Sequence, residues 1–209
     1  MGTTPVVESA RRALGAVGVF LPFSRTSAVS ADQQREAARG LERAGYRAAW
    51  TNEAVGGKDA LVQLAVLLAA TERMVFGTGI ANIWARAPQT AHGAAALLSQ
   101  AFPGRLVLGL GVGYPHQAAS VGREFGSPVA TMRDYVDQMT AQARQQLGPD
   151  KLLVDALVAH GGAAAIAARV REHLAAGADH VMVMTTGTEF ADGVDQLAQL
   201  APTLAGLTR

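Results

Sequence analysis

Short apolar runs alternate with helical patterns along this chain, and this alternation is what most constrains its fold. Strand-like runs begin near residues 16, 46, 74, 105 and 180. The first four starts lie about 30 residues apart, the length that a strand, a crossover helix and the next strand need together. The helices before two of these strands end at glycine, at Gly45 and at Gly177. Repeated βα units of this kind predict a parallel sheet.

The pattern also predicts where most elements begin and end. Ser30 and Gln33 have the spacing of a capping box, which predicts a helix that continues to Gly45, and Thr131 with Asp134 predicts a second capped start. The run at residues 152–160 is typical of either a buried strand or the end of a helix. The pattern further predicts strands at residues 16–21, 46–51, 75–81, 106–112 and 180–185. It predicts helices at residues 59–71, 88–101, 131–148, 163–176 and 194–204.

The N-terminal region allows two interpretations. Arg11 and Arg12, followed by an apolar run and small residues, are similar to a short export signal. Gly15 and Gly18 interrupt that run, which favours a first buried strand instead. We therefore expect residues 1–12 to be a loose tail and residues 13–209 to form a single domain.

Composition excludes several classes of protein. The 209 residues are 49% hydrophobic and 17% charged, enough for one substantial core. The formal charge of +1 is spread without a basic stripe, so we expect no binding to nucleic acid. The chain has no cysteine, which excludes thiol chemistry and fits the reducing cytoplasm. Its longest apolar run is shorter than the ~20 residues that span a bilayer, so we expect no membrane segment.

The sheet has two possible closures, an open doubly wound sheet or a barrel. Gly109, Gly111 and Gly113 do not complete a dinucleotide fingerprint, because Tyr114 stands where the pattern needs its third glycine. Without a nucleotide loop, the glycines that end successive strands favour a barrel. A complete barrel has eight strands and ~250 residues, whereas this chain offers five or six strands. The sequence thus predicts an incomplete TIM-type (β/α) barrel with parallel strands.

Four motifs resemble one family in order and spacing. GVFLPF, AGYRAAWTNE, VFGTGIAN and PGRLVLGLGVG are similar to the first half of the bacterial luciferase-like family, in its branch of coenzyme F420-dependent oxidoreductases. The resemblance covers residues 14–140, and HLAAGADHVMVM resembles the end of the same barrel. Between residues 140 and 155 the middle strands of the family have no counterpart. In such enzymes that part supplies a glycine-containing loop for the cofactor phosphate.

The resemblance implies hydride transfer between C5 of coenzyme F420 and a small organic substrate. Two alternatives remain open: an FMN-dependent monooxygenase of the same family, and a non-catalytic relative that binds flavin or a partner protein. In the family, a bulge with a non-proline cis peptide supports the central ring, and Gly79 and Ile80 occupy that place. The implied cofactor-binding residues are Asn52, Thr78, Gly79, Ile80, Asn82, Gly111, Val112 and Gly113. Glu53 and His116 are the candidates for moving the accompanying proton.

Structural interpretations compete with these roles. Gly109 and Gly111 are also typical of strands whose neighbours fill the interior. His116 fits a solvated or helix-capping position equally well. Glu53 fits a cap of the following turn or a partner for Lys58.

The aromatic residues and a nearby arginine are similarly open. Trp50 fits core packing better than cofactor stacking, whereas Trp84 is the stronger cofactor candidate. Arg86 is either a site for an anionic tail or a surface residue. Because an incomplete barrel exposes strand edges, we also expect a homodimer.

Overall fold

A computed structural model describes residues 5–22, 29–146, 163–185 and 189–207. The chain forms two compact units. The first comprises Met1–Trp50, Val66–Phe76 and Asp155–Arg209, and the second comprises Thr51–Ala65 and Gly77–Val154. Each unit is therefore built from segments that are distant in sequence. The sequence, by comparison, predicts a single domain over residues 13–209.

The described residues form eight helices and seven strands. In chain order they are α1 (Pro5–Leu14), β1 (Val17–Phe20), α2 (Ala31–Arg43), β2 (Ala48–Thr51), α3 (Ala60–Ala70), β3 (Val75–Thr78), β4 (Ala81–Asn82), α4 (Pro88–Ala101), β5 (Leu106–Val107), β6 (Leu110–Gly111), α5 (Pro115–Ala119), α6 (Pro128–Gln146), α7 (Ala163–Ala175), β7 (Val181–Met184) and α8 (Phe190–Leu204). The strands form a five-stranded sheet in the order β5-β3-β2-β1-β7 and a two-stranded sheet of β4 and β6. The predicted α/β class with parallel strands is confirmed.

In the first unit, β1 lies between β2 and β7. It pairs in parallel with β2, with Val19 opposite Ala49, and with β7, with Val17 opposite Val181. All four residues of β1 are buried, as expected for a strand between two parallel neighbours. The strand interpretation of residues 16–21 is thus confirmed.

Helix α2 begins and ends as its sequence predicts. The Ser30 hydroxyl accepts a hydrogen bond from the Gln33 N–H, and the Gln33 side chain accepts one from the Ser30 N–H, at 3.2 and 2.9 Å. Near its other end, the Glu42 carboxylate accepts the backbone N–H groups of Glu72, Arg73 and Met74 at 2.8–3.2 Å. This carboxylate thereby attaches α2 to the turn that leads into β3.

Two predicted strands are each interrupted. Residues 75–81 form β3 and then β4, because Gly79 N–H bonds to Thr51 O at 2.7 Å while Ala81 N–H bonds to Gly109 O at 2.7 Å. The chain thus changes its pairing partner within one apolar run. Residues 106–112 are likewise divided into β5 and β6, and Asn82 of β4 lies opposite Gly111 of β6.

Three terminus predictions differ from the structure. Helix α6 begins at Pro128, with the Thr131 N–H bonded to Ser127 O at 2.9 Å, so the predicted Thr131 start is wrong by three residues. Proline suits a first helical position because it has no N–H to satisfy. Residues 5–14, most of which the sequence predicts as a loose tail, form α1. Helix α8 starts at Phe190 rather than at residue 194.

Two further predictions concern parts of the chain that are not described. Residues 152–160, for which the sequence allows either a strand or a helix, lie outside the described residues. Most of residues 140–155, where the sequence predicts no counterpart of the family's middle strands, also lie outside them. Among the helices that are described, none combines the length and the apolar character needed to cross a membrane.

Candidate functional site

Backbone hydrogen bonds bring the predicted strand ends of the second unit together. Gly79 is bonded to Thr51 and Ala81 to Gly109, as described above, and the Ile83 N–H donates to Gly111 O at 3.1 Å. The segments that carry the predicted site residues are therefore neighbours in space. We call residues 79–82 the strand-end segment.

Glu53 holds both ends of the strand-end segment. Its backbone N–H donates to Ile80 O at 3.0 Å, and its Oε2 accepts the Asn82 N–H at 2.8 Å. The Glu53 Oε1 accepts the N–H of Ala60 at 2.9 Å, which satisfies one donor at the start of α3. Glu53 is only 5% exposed, so these contacts are made away from solvent.

Arg86 completes the environment of this carboxylate. Its Nη1 donates to Glu53 Oε2 at 2.9 Å, and its Nη2 pairs with Glu53 Oε1 and, at 2.9 Å, with Asp59 Oδ2. Burial by itself lowers the pKa of Arg86, but the bonds to Glu53 and Asp59 outweigh it and raise that pKa. Burial acts upward on the pKa of Asp59, and the Val62 N–H and Arg86 outweigh it, so that pKa is lowered.

These contacts change the interpretation of two residues. Arg86, expected on the surface or at an anionic tail, has a side chain that is 7% exposed and paired with two carboxylates. Glu53, expected to move a proton, accepts hydrogen bonds on both oxygens from two backbone donors and a guanidinium. Because these donors occupy both oxygens, the carboxylate links the backbone at Ala60 and at Asn82 to the guanidinium of Arg86.

Thr78 is occupied within the protein. Its hydroxyl donates to Gly109 O at 2.8 Å and accepts the Gly109 N–H at 2.9 Å, and the residue is 1% exposed. Gly79 and Ile80, which follow it, are partly exposed. The peptide bond between them is cis, as the family resemblance implies.

Gly111 is small because Ile80 packs against it. A Cβ atom at residue 111 would lie 2.7 Å from Ile80 Cγ1 and 3.0 Å from Ile80 Cβ. Real Cβ atoms do not approach carbon this closely, so a larger residue would displace Ile80. The packing interpretation of this glycine therefore holds, and its consequence is a defined position for the Ile80 side chain.

Asn82 is also buried, with 1% exposure. Its Nδ2 donates to Gln117 Oε1 at 3.0 Å, and its Oδ1 accepts the Trp84 N–H at 3.0 Å. Trp84 in turn donates from Nε1 to Val112 O at 2.7 Å, and its ring lies against Phe125 with centroids 6.3 Å apart. Asn82 and Trp84 thus hydrogen-bond to residues 112–117, which follow β6.

His116 and Tyr114 lie on the outside of that segment. Both are exposed, Tyr114 by 68%, and their rings are stacked with centroids 5.8 Å apart and planes 9° apart. Asn52 is exposed as well. Of these three residues, His116 and Asn52 are predicted site residues, and both present a polar group to solvent.

Trp50 and His180 form a separate cluster in the first unit. Trp50 Nε1 donates to His180 Nε2 at 3.2 Å, and His180 Nδ1 lies 2.7 Å from the Gly15 carbonyl oxygen. The carbonyl can only accept, so Nδ1 carries the proton and Nε2 accepts from the indole. Trp50 is thus half-buried, with its indole N–H bonded within the first unit.

Sequence reasoning missed Gln117 and the role of Asp59. Gln117 follows Tyr114 by three residues, which is the spacing of a capping box, and that signal was available. No comparable local signal exists for the pairing of Asp59 with Arg86. Within the described part of the chain, no group of three His, Asp or Glu side chains is arranged to hold a metal ion.

Comparison with known proteins agrees with this arrangement of parallel βα units. Residues 16–146 match the family of luciferase-like monooxygenases, and the chain belongs to that family. A Mycobacterium tuberculosis protein named as a coenzyme F420-dependent oxidoreductase is 37% identical over 97 residues. That match covers 46% of this chain and 28% of the relative.

Two solved structures share the fold. The oxygenating constituent of 3,6-diketocamphane monooxygenase from Pseudomonas putida, in complex with FMN, has a TM-score of 0.57 at 17% identity. The alignment covers 94% of this chain and 64% of that one. The F420-dependent tetrahydromethanopterin reductase of Methanopyrus kandleri has a TM-score of 0.52 at 14% identity, with 92% and 62% covered. The chain thus spans less than two thirds of the length of each of these proteins.

Proposed function

We propose that this chain is an oxidoreductase of the luciferase-like type that transfers hydride between coenzyme F420 and a small organic substrate. The observation that carries the proposal is the strand-end segment, which offers partly exposed Gly79 and Ile80 on a backbone held from both ends by Glu53. The name of the mycobacterial relative supports the choice of F420.

The residues of this segment fit a flat ring. Gly79 has no side chain to obstruct a planar surface, and Ile80 adds an apolar contact whose position is defined by Gly111. Gly79, Ile80, Gly111 and Val112 would hold the ring, with Asn52 at the exposed edge. When bound, the deazaflavin supplies the hydride chemistry at its C5 atom, and the protein supplies binding, orientation and electrostatics.

We assign the proton to His116 rather than to Glu53. The His116 ring is exposed and stacked on Tyr114, and an imidazole is suited to proton transfer near neutral pH. The Glu53 carboxylate is already bonded to Arg86 and to two backbone N–H groups. Glu53 and Arg86 therefore keep the strand-end segment in place, and the Asn82 side chain connects its end to Gln117.

An FMN-dependent monooxygenase is the second candidate. It is favoured by the fold shared with the FMN complex of the Pseudomonas putida enzyme. The same flat surface accepts either ring, so the two candidates differ in the cofactor rather than in the residues that hold it. A relative without catalysis is the third possibility.

Titration of the purified protein with F420 and, separately, with FMN tests the proposal. Ring fluorescence is followed for the wild type, for Gly111→Ala and for the control Gly93→Ala. We expect micromolar binding of F420 by the wild type and roughly tenfold weaker binding by Gly111→Ala, a loss of about 1.4 kcal/mol, because the new methyl group displaces Ile80. An added Cβ at residue 93 meets open space, so the Gly93→Ala variant should bind F420 as tightly as the wild type does.

The outcomes separate the three candidates. Preference for FMN over F420 would replace the dehydrogenase proposal by the monooxygenase. If the protein binds neither F420 nor FMN, the non-catalytic relative would be the candidate that is retained.

We also propose a cytoplasmic homodimer with a small-molecule substrate. Large apolar side chains of the second unit are exposed, namely Val62 by 64%, Leu97 by 67% and Val129 by 69%. A contiguous apolar patch is typical of a protein interface, and the dimer proposal requires that these three residues share one. A monodisperse monomer in solution scattering at micromolar concentration would contradict the dimer.

A further inference from the structure

Gln117 connects the end of β4 to the turn that follows β6. Its Oε1 accepts two hydrogen bonds, one from Asn82 Nδ2 at 3.0 Å and one from the backbone N–H of Tyr114 at 2.8 Å. The Gln117 N–H donates back to Tyr114 O at 2.9 Å. The main chain of Tyr114 is thus held at both its N–H and its carbonyl by one residue.

Gly113 has the conformation and the size that this contact needs. Its φ is +57°, in the left-handed region that favours glycine. A Cβ atom at residue 113 would collide with Gln117 Oε1 and would lie 2.6 Å from Asn82 Nδ2. The glycine predicted to contact a cofactor therefore makes room for the Gln117 oxygen.

The other end of the connection lies in the interior and is hydrogen-bonded on several sides. Asn82 is buried, its backbone N–H is bonded to Glu53, and its Oδ1 is bonded to Trp84. Tyr114, by contrast, is largely exposed and carries the stacked His116 ring. Tyr114 is the N-cap of α5 and His116 lies in its first turn, so the bonds of Gln117 to the Tyr114 main chain connect this exposed pair to a buried residue.

We propose that Gln117 is a positioning residue: by joining Asn82 to the main chain of Tyr114, it fixes the stacked pair of Tyr114 and His116. The role of that pair in proton transfer rests on the proposed function, whereas the positioning itself does not. Only the carbonyl oxygen of the Gln117 side chain is used in these bonds, and a carboxylate oxygen accepts the same bonds. Gln117→Glu should therefore preserve the arrangement, and Gln117→Leu should remove it.

The test uses proton NMR of the His116 ring in the full chain without cofactor. The resonance is assigned with His116→Asn, and the contribution of the Tyr114 ring current is the difference between the wild type and Tyr114→Leu. We expect Gln117→Leu to lose at least half of that ring-current shift and to exchange the Tyr114 amide faster. Gln117→Glu should keep both the shift and the wild-type melting temperature, whereas Gln117→Leu should also lower the melting temperature, because the buried Asn82 Nδ2 loses its acceptor.

Two results would overturn the proposal. If both variants keep the wild-type shift, Gln117 does not position the pair. If both lose it together with a lower melting temperature, Gln117 serves general stability and its oxygen has no special role. A wild type that binds neither F420 nor FMN would remove the proposed function, and the NMR comparison would still decide the positioning role.

Discussion

The Glu53 carboxylate and the Arg86 guanidinium form a buried ion pair, with side chains that are 2% and 7% exposed. Removing one partner of such a pair leaves the other charge buried without full compensation. The pair also holds the backbone at Asn82 and at Ala60 through Glu53. Breaking this ion pair should therefore both destabilise the fold and disturb the strand-end segment.

Glu53→Ala should lower the free energy of unfolding by about 3–5 kcal/mol, since it leaves Arg86 with Asp59 alone and frees two backbone N–H groups. The control is Glu172→Ala, which removes an exposed pair with Arg169 and should cost no more than about 0.5 kcal/mol. Urea unfolding followed by circular dichroism measures both. Equal costs for the two variants would show that the buried pair adds nothing to stability.

His180 should make stability depend on pH. Burial lowers the pKa of His180 below its ordinary value of 6.5, although the bond to Gly15 acts in the opposite direction. On acidification the unfolded chain binds a proton near pH 6.5 before the folded protein does, so stability falls as the pH drops through 6.5 towards the lowered value. Urea midpoints for the wild type and His180→Gln between pH 8 and pH 5 check this, and the variant should lose less stability over that interval.

A parallel decline in both proteins would mean that other groups cause the acid sensitivity. Neutral-pH stability of His180→Gln should itself be lower by about 1–3 kcal/mol, because the indole of Trp50 or the carbonyl of Gly15 loses its partner.

Replacing glycine by alanine should stabilise the protein at some positions and destabilise it at others. Gly40 lies within α2 and Gly93 within α4, and neither has an atom within 4 Å of an added Cβ. Alanine at either position should stabilise the protein by about 0.5–1 kcal/mol. Gly18→Ala should destabilise it by about 1–3 kcal/mol, since the methyl group would lie 2.5 Å from His180 Nε2. Thermal melts of the three variants measure these signs, and a stabilising Gly18→Ala would contradict the packing of the cluster.

Tyr46→Phe should cost about 1–2 kcal/mol. The Tyr46 hydroxyl is buried and donates to Leu197 O at 2.8 Å, and phenylalanine leaves that carbonyl without this donor. Burial also raises the pKa of Tyr46. The unfolded chain therefore loses its phenol proton first, near pH ~10, and wild-type stability should fall above that pH. Denaturant midpoints at pH 8 and pH 10.5 should show a smaller fall for the phenylalanine variant.

Local patterns predicted the elements well. The capping box of Ser30 and Gln33 forms as its spacing indicates, and the buried runs at residues 17–20 and 181–184 are strands. They did not predict the interruptions after Thr78 and Val107. Residues on both sides of each interruption are apolar or small, and only the neighbouring segments determine which strand each side pairs with.

The candidate site divides in the same way. The sequence by itself determined that chemistry-bearing residues follow the strands, because the alternation of strand and helix places Glu53, Asn82 and Gly113 just beyond strand ends. The tertiary structure decided what each of them does. Glu53 meets an arginine 33 residues later, and Asn82 meets a glutamine 35 residues later. Such partners depend on how far each strand runs before it ends and on what lies beside it, which local propensity and periodicity do not record.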